Sequence, residues 1–185
     1  MKSAAAIACL TAILVAEPAA AAQWSVDYAK SRLGFSVMWG SEPFVAVFAS
    51  WKANIDFDPA DLARARADVR IDLASEQSDE ADYDDGLKGA QGFQVSQFPQ
   101  AHFVTTGFAH KSGNAYVANG LLSIRGVTKA VTLPFSLTIE GGHAHMKGTA
   151  AVLRTDFNVG QGMWSAPNPV AREVTVTIDL YATRK

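Results

Sequence analysis

The chain has 185 residues, with 16 basic and 18 acidic side chains, a net charge of −2 and 49% hydrophobic residues. No block of Lys and Arg provides the electrostatic footprint of a nucleic-acid-binding protein. The hydrophobic fraction is too high, and the net charge too small, for a disordered chain. The composition therefore predicts a folded protein that binds no nucleic acid.

Residues 1–22 are typical of a secretory signal peptide. Lys2 precedes an apolar run over residues 4–16, and Ala20-Ala21-Ala22 is a small-residue cleavage site. The run is shorter than the roughly 20 residues that span a bilayer, and no later run is longer, so we expect no transmembrane segment. The sequence thus predicts an exported, periplasmic protein with one domain over residues 23–185. Cys9 is the only cysteine, so the mature chain has no thiol for a disulfide, for catalysis or for a metal.

Apolar and polar residues alternate with a period of two through most of the mature chain, which predicts β-strands. The expected strands cover residues 24–28, 33–39, 44–57 with a bulge or break between Phe48 and Trp51, 69–73, 102–110, 115–124, 127–139, 143–153 and 174–180. Only residues 81–88 indicate a helix, and it is too short for the crossover that parallel strands need. The pattern favours an all-β antiparallel sandwich or barrel.

The most informative stretch runs from Leu121 to Phe135. Two strand-like segments flank Arg125-Gly126, and the glycine allows a sharp turn there. Pro134 lacks the N–H that a strand ladder uses, which predicts a sheet edge or a bulge at this position.

The sequence contains no motif of a hydrolase, a phosphate loop, a zinc protease or a dinucleotide site. His143 and His145 share a strand face, but without a third ligand they favour a solvated strand end over a metal site. The acidic run Glu76–Asp85 lacks the spacing of a calcium loop. Arg154 and Asp156 flank Thr155, and we expect them to pair structurally. No metal or cofactor is therefore expected.

The ten Phe and four Trp residues exceed what one sheet face needs. Most large apolar residues fill a core. An eight-stranded barrel, however, is just wide enough either to be filled by side chains or to enclose one small ligand. Few charged residues alternate inward, so a ligand in such a barrel would be apolar.

Four stretches carry a family signature. The first is W-S-V-D at 24–27, followed by Ser31, Leu33, Phe35 and Val37. The second is L-K-G at 87–89, followed by Phe93, Val95, Phe98-Pro99 and Phe103. The third is G-L-L-S-I-R-G-V-T-K at 120–129, followed by Val131, Leu133 and Pro134, and the fourth is R-T-D-F at 154–157, followed by Val159-Gly160. In order and spacing they cover nearly the whole mature chain. This pattern resembles the YceI-like, polyisoprenoid-binding family of secreted bacterial proteins. The chain departs from the family pattern at Gly86, Gly92, Gln94 and Asn158.

The resemblance implies an extended, eight-stranded antiparallel lipocalin-like barrel with a short helical cover. It also implies a hydrophobic cavity that holds an isoprenoid or a similar amphipathic lipid. The side chains expected to face this lipid from the strands are Phe35, Val37, Phe48, Phe103, Leu122, Ile124, Leu133 and Phe135. Phe93, Phe98, Phe157 and Trp164 would close the ends, and Arg154, Asp156 and Trp164 would form a rim that orients the head group.

These expectations favour a periplasmic lipid or quinone carrier that is not an enzyme and uses no cofactor beyond the bound lipid. Two alternatives stay open. A barrel filled by its own side chains would serve as a stress-linked interaction module, with a membrane redox protein as a partner. A lipid-modifying enzyme would use Asp156 or a histidine as its base. The sequence also leaves open whether the chain forms a homodimer.

Overall fold

The computed structural model describes residues 22–167 and 169–185, so the predicted signal peptide lies outside the described residues except for Ala22. The strands are β1 (Gln23–Val26), β2 (Arg32–Trp39), β3 (Glu42–Phe48), β4 (Trp51–Asp56), β5 (Arg66–Asp72), β6 (Glu76–Gln77), β7 (Gln100–Ser112), β8 (Ala115–Ile124), β9 (Val127–Glu140), β10 (His143–Leu153) and β11 (Val170–Arg184). The α-helix is α1 (Ala81–Lys88), and short 3-10 segments cover Leu73–Ser75, Arg154–Phe157 and Gly162–Trp164. Within the described residues no helix is both long and apolar enough to cross a membrane.

The strands close into one eight-stranded antiparallel barrel. Three of the eight barrel positions are each filled by two consecutive strands with a short break between them: β1 with β2, β3 with β4, and β5 with β6. The ring closes because β1 pairs with both β4 and β11, while β2 pairs with β3 and β11. The barrel that the resemblance implied is therefore confirmed.

Three local predictions are also confirmed. The break expected before Trp51 separates β3 from β4, and the expected helix is α1. Pairing between β9 and β10 ends at Phe135 and Gly148, so Pro134 lies just beyond the last paired residue, where its missing N–H breaks no ladder between these two strands.

The turn between β8 and β9 does more than reverse the chain. Arg125 and Gly126 both have positive φ, 49° and 74°, as a two-residue type I′ hairpin requires. The Arg125 guanidinium then donates to the carbonyl oxygen of Gly92 and to Oε1 of Gln94, the latter at 3.0 Å. The turn therefore fixes the irregular segment that follows α1 to the same end of the barrel.

The core has two parts. One surrounds Phe35 and Phe157 at the end of the barrel that carries α1, which we call the upper end. The other surrounds Trp24, Phe57 and Phe135 toward the opposite, lower end. Side chains from all sides of the barrel contribute to both parts, as expected for strands with one inward face.

Substituting Gly126 by Ala should lower the free energy of unfolding by about 1–2 kcal/mol. A Cβ at φ 74° is strained, and it would lie 3.3 Å from Cε1 of Phe98. Chemical denaturation measures the change. Gly107→Ala is the control, because nothing lies within 4 Å of a Cβ at that position. Equal stabilities of the two variants would contradict the expectation.

Candidate functional site

The barrel encloses two cavities that meet at Leu33, whose side chain lines both. The upper cavity, of about 140 Å³, is lined from β2, β3, β5, β7, β8, β10 and β11, from α1 and from the 154–164 segment. The lower cavity, of about 120 Å³, is lined from β1, β2, β4, β5 and β7–β11. Among the residues that the structure describes, Arg154 is the only charged one in either lining. The interior therefore suits an apolar guest.

The structure places most of the predicted site residues in these linings. The upper cavity is lined by Phe35, Val37, Phe48, Phe93, Leu122, Ile124, Arg154, Phe157 and Trp164. The lower cavity is lined by Phe103, Leu133 and Phe135. Phe98 and Asp156 lie outside both linings, Asp156 as an exposed residue and Phe98 half-buried beside Gly126. A role of any of these residues in ligand binding stays a prediction.

Sequence reasoning missed several aromatic and aliphatic lining residues. Tyr83 and Leu87 project from α1 into the upper lining, and their i, i+4 spacing on a short helix was the available signal. The lower lining includes Trp24, Trp51 and Phe108, which were read only as strand residues. A period-two pattern shows that a residue faces inward but not whether a cavity lies beside it.

An aromatic group covers the upper cavity. The rings of Trp39 and Tyr83 stack at 4.4 Å, and the ring of Trp164 meets Trp39 edge-on at 6.3 Å. Gly86 makes room for this cover, because a Cβ there would lie 2.6 Å from the Trp164 ring. The departure from the family pattern at Gly86 thus has a packing reason.

The Arg154 side chain fastens the segment that follows β10. Its guanidinium carries five N–H groups, and each donates to a main-chain carbonyl oxygen at 2.8–3.2 Å. The five acceptors are the carbonyl oxygens of Val159, Gly160, Ala166, Val170 and Ala171. The expected pairing of Arg154 with exposed Asp156 is therefore wrong. The guanidinium also has no N–H left with which to orient a ligand head group.

Two further departures have local reasons. Gln94 stands where the family has Asp, and its side-chain oxygen accepts a hydrogen bond from Arg125. Asn158 stands where the family has Gly, at φ 58°, and Asn tolerates this left-handed backbone better than most residues. These residues keep the backbone geometry of the motifs rather than contact the cavities.

A buried carboxyl pair connects α1 to the barrel. Glu76 on β6 is 1% exposed, and neither of its carboxylate oxygens has a hydrogen-bond partner among the described residues. Asp84 on α1 accepts hydrogen bonds from the hydroxyl and the backbone N–H of Ser78, at 2.5 and 3.0 Å. Burial, and then the negative charge of Asp84, raise the pKa of Glu76 to about 7, against the opposing charge of Lys88.

Two further pairs of ionisable side chains lie on the barrel strands. His145 contacts Asp179 at 2.7 Å and His102 contacts Asp68 at 2.9 Å, as half-buried pairs. No group of three His, Cys, Asp or Glu side chains placed to hold a metal occurs in residues 22–167 and 169–185. Both histidine–aspartate pairs lie outside the linings of the two cavities.

Replacing Arg154 by Met should lower the free energy of unfolding by about 3 kcal/mol or more. Five carbonyl oxygens would lose their donor, and each buried unpaired polar group is costly. Chemical denaturation with Arg172→Met as the exposed control measures the effect. An Arg154→Met variant as stable as the control would contradict this account.

Replacing Glu76 by Gln should remove a pH dependence of stability. The pKa of Glu76 is raised by folding, so its contribution is fully present below about pH 4.5 and is lost as the pH rises through about 7. Wild-type stability should fall by roughly 3 kcal/mol over that window, while Glu76→Gln should stay level. Unfolding curves at several pH values test this, with exposed Glu80→Gln as the variant that should behave like the wild type.

The fold has counterparts among known proteins. The crystal structure of BcnA from Burkholderia cenocepacia is 34% identical, covers 86% of this chain and 100% of that chain, and superposes with a TM-score of 0.83. A polyisoprenoid binding domain from Saccharophagus degradans, described as implicated in plant cell wall breakdown, is 14% identical. It covers 90% of this chain and 100% of its own, with a TM-score of 0.69, and shares the fold.

Curated proteins of similar sequence match most of the chain. A UPF0312 protein from Pseudomonas savastanoi pv. phaseolicola is 26% identical and covers 100% of this chain and 98% of its own. A UPF0312 protein from Yersinia pestis is 28% identical over 84% of this chain and 78% of its own. The family model described as the YceI-like domain matches residues 24–182. The chain therefore belongs to the YceI-like family.

Proposed function

We propose that this protein is a periplasmic carrier that binds an isoprenoid, quinone-like or other amphipathic lipid in its barrel. The observation that supports this most is the chemistry of the two linings. Their one charged side chain, Arg154, has all its donors engaged by the backbone. A ligand held there gains its affinity from buried apolar area, at roughly 25 cal/mol per Å².

The arrangement of the cavities favours a chain-like ligand over a compact one. The two cavities follow one another inside one barrel and meet at Leu33. A long, flexible hydrocarbon can thread through both, whereas a compact ligand of the same area would fill only one. Half-buried side chains between the cavities, such as Phe103 and Ile178, would have to adjust as the chain passes.

Two further points support the carrier role. The Saccharophagus degradans domain that shares this fold is described as polyisoprenoid binding. The predicted signal peptide directs the chain to the periplasm, where hydrophobic molecules need a protein to cross the aqueous space.

The alternatives have less support. The two cavities do not favour a barrel filled by its own side chains. Asp156, the base suggested for a lipid-modifying enzyme, is exposed and outside both linings. A carrier needs neither a cofactor nor a redox partner, and it can act with one copy of the barrel.

The direct test is native mass spectrometry of protein purified from the periplasm of its own host, followed by organic extraction of the bound material. We expect an adduct that releases a lipid with a long apolar chain. Protein that carries no adduct, and binds no added isoprenoid alcohol, would overturn the proposal.

Replacing Leu122 by Asp should abolish lipid retention, because it puts an unpaired carboxylate in the upper lining, where Leu122 is 9% exposed. Leu121→Asp is the matched control, since Leu121 precedes it on the outer face and is 45% exposed. Bound lipid is counted per folded molecule, with near-UV circular dichroism reporting the folded fraction. Equal retention by the two variants would contradict the placement of the ligand.

A further inference from the structure

On one side of the barrel, the pairing between two neighbouring strands ends early. β9 and β10 pair from Glu140 and His143 to Phe135 and Gly148, and then their pairing stops although both strands continue. Within the part of the chain that the structure describes, residues 127–134 pair only with β8, and residues 149–153 pair only with β11. We call the unpaired seam between these two strand segments the slot.

The slot leads to both cavities. On its β9 side, Leu133 lines the lower cavity, and Val131 packs against both parts of the core. On its β10 side, Val152 lines the upper cavity. A chain that passed between the two strands would therefore reach the region where the cavities meet.

The lower part of the slot has an outer rim of small side chains, because its outward-facing positions are Thr132 and Pro134 on β9 and Thr149 and Ala151 on β10. The larger exposed side chains of Lys129 and Leu153 lie toward its upper end. At its lower end, where the pairing stops, an open groove of about 620 Å³ lies on the outer face beside Pro134 and Gly148. Access from outside to the lower part of the slot thus needs no large side chain on its rim to move.

The upper end of the barrel is closed much more firmly. The five hydrogen bonds of Arg154 hold the 154–171 segment, and the backbone N–H groups of Gly160 and Gln161 both donate to the carbonyl oxygen of Gln91 at 2.8 Å. The stacked rings of Trp39 and Tyr83 cover the cavity beneath. Passage through this end would break these contacts, whereas parting β9 and β10 at the slot breaks no strand pairing.

We propose that the slot is the lateral portal through which the apolar chain of the ligand enters and leaves the barrel. The proposal rests on the proposed function. In this proposal the slot sets the rates of binding and release, and the contacts in the cavities set the affinity.

Cross-linking the slot tests this directly, because the mature chain has no cysteine of its own. Continuing the β9–β10 register places Thr132 opposite Ala151. The variant T132C/A151C is closed with a bis-maleimide, and S36C/V45C, closed across the fully paired β2 and β3 away from the slot, is the matched control. The change in fluorescence of the Trp residues in the linings when geranylgeraniol binds, followed by stopped flow, gives the association and dissociation rates.

We expect closure of the slot to slow both rates by at least about tenfold and to leave Kd nearly unchanged, since the portal affects the barrier and not the bound state. The control pair should change neither. Unchanged rates in the closed variant, with geranylgeraniol still bound, would overturn the portal and leave the carrier function standing. Failure of the unmodified protein to bind geranylgeraniol would overturn both.

A second variant keeps the test decisive if the cross-link does not form. T132C carrying a polyethylene glycol maleimide obstructs the slot, and V45C with the same label modifies the outer wall at β3, away from the slot. Slower exchange only in labelled T132C would support the portal. The unpaired edges of β9 and β10 at the slot could instead bind a second copy of the chain, and sedimentation of the unlabelled protein tests for such a dimer. A dimer that dissociates when T132C is labelled would assign the slot to the second copy and would overturn the portal.

Discussion

The structure depends on the closure of one sheet by its first and last strands. β1 pairs with β11 on one side and with β4 on the other, so the sheet curls into a ring. In a ring of eight strands, every inward side chain is removed from water at once. The chain fills this interior with aromatic and aliphatic residues, yet two cavities remain, and these set the chemistry of whatever binds.

A second constraint acts at the upper end, where irregular segments must cover an apolar cavity without leaving polar backbone unpaired. Two arginines solve this problem. Arg154 satisfies five carbonyl oxygens of the segment after β10, and Arg125 holds the segment after α1. Both charges serve the cover, so the cavities remain almost free of polar groups.

Much of the fold was accessible from the sequence. Alternation along β8–β11 fixed those strands, because side chains in a half-buried strand repeat every two residues. The family signature supplied the barrel, which alternation alone left undecided between a barrel and a sandwich. The role of Arg154 could not be predicted from the sequence. An arginine two residues from an aspartate suggests an ion pair. The five partners of Arg154 are instead main-chain carbonyl oxygens, whose positions no pattern of side chains indicates. The slot was also out of reach, because strand pairing that stops early depends on the path of two distant segments.

The contact between Gly86 and Trp164 ties together two parts of the chain that are far apart in sequence. In a relative whose residue at position 86 carries a side chain, an indole at position 164 has no room to lie in the same place. The residues at positions 86 and 164 should therefore vary together among relatives, and an alignment in which they vary independently would contradict this coupling. The size of the side chain at position 86 would then set how closely the ring at position 164 can approach α1, and with it the shape of the upper cavity.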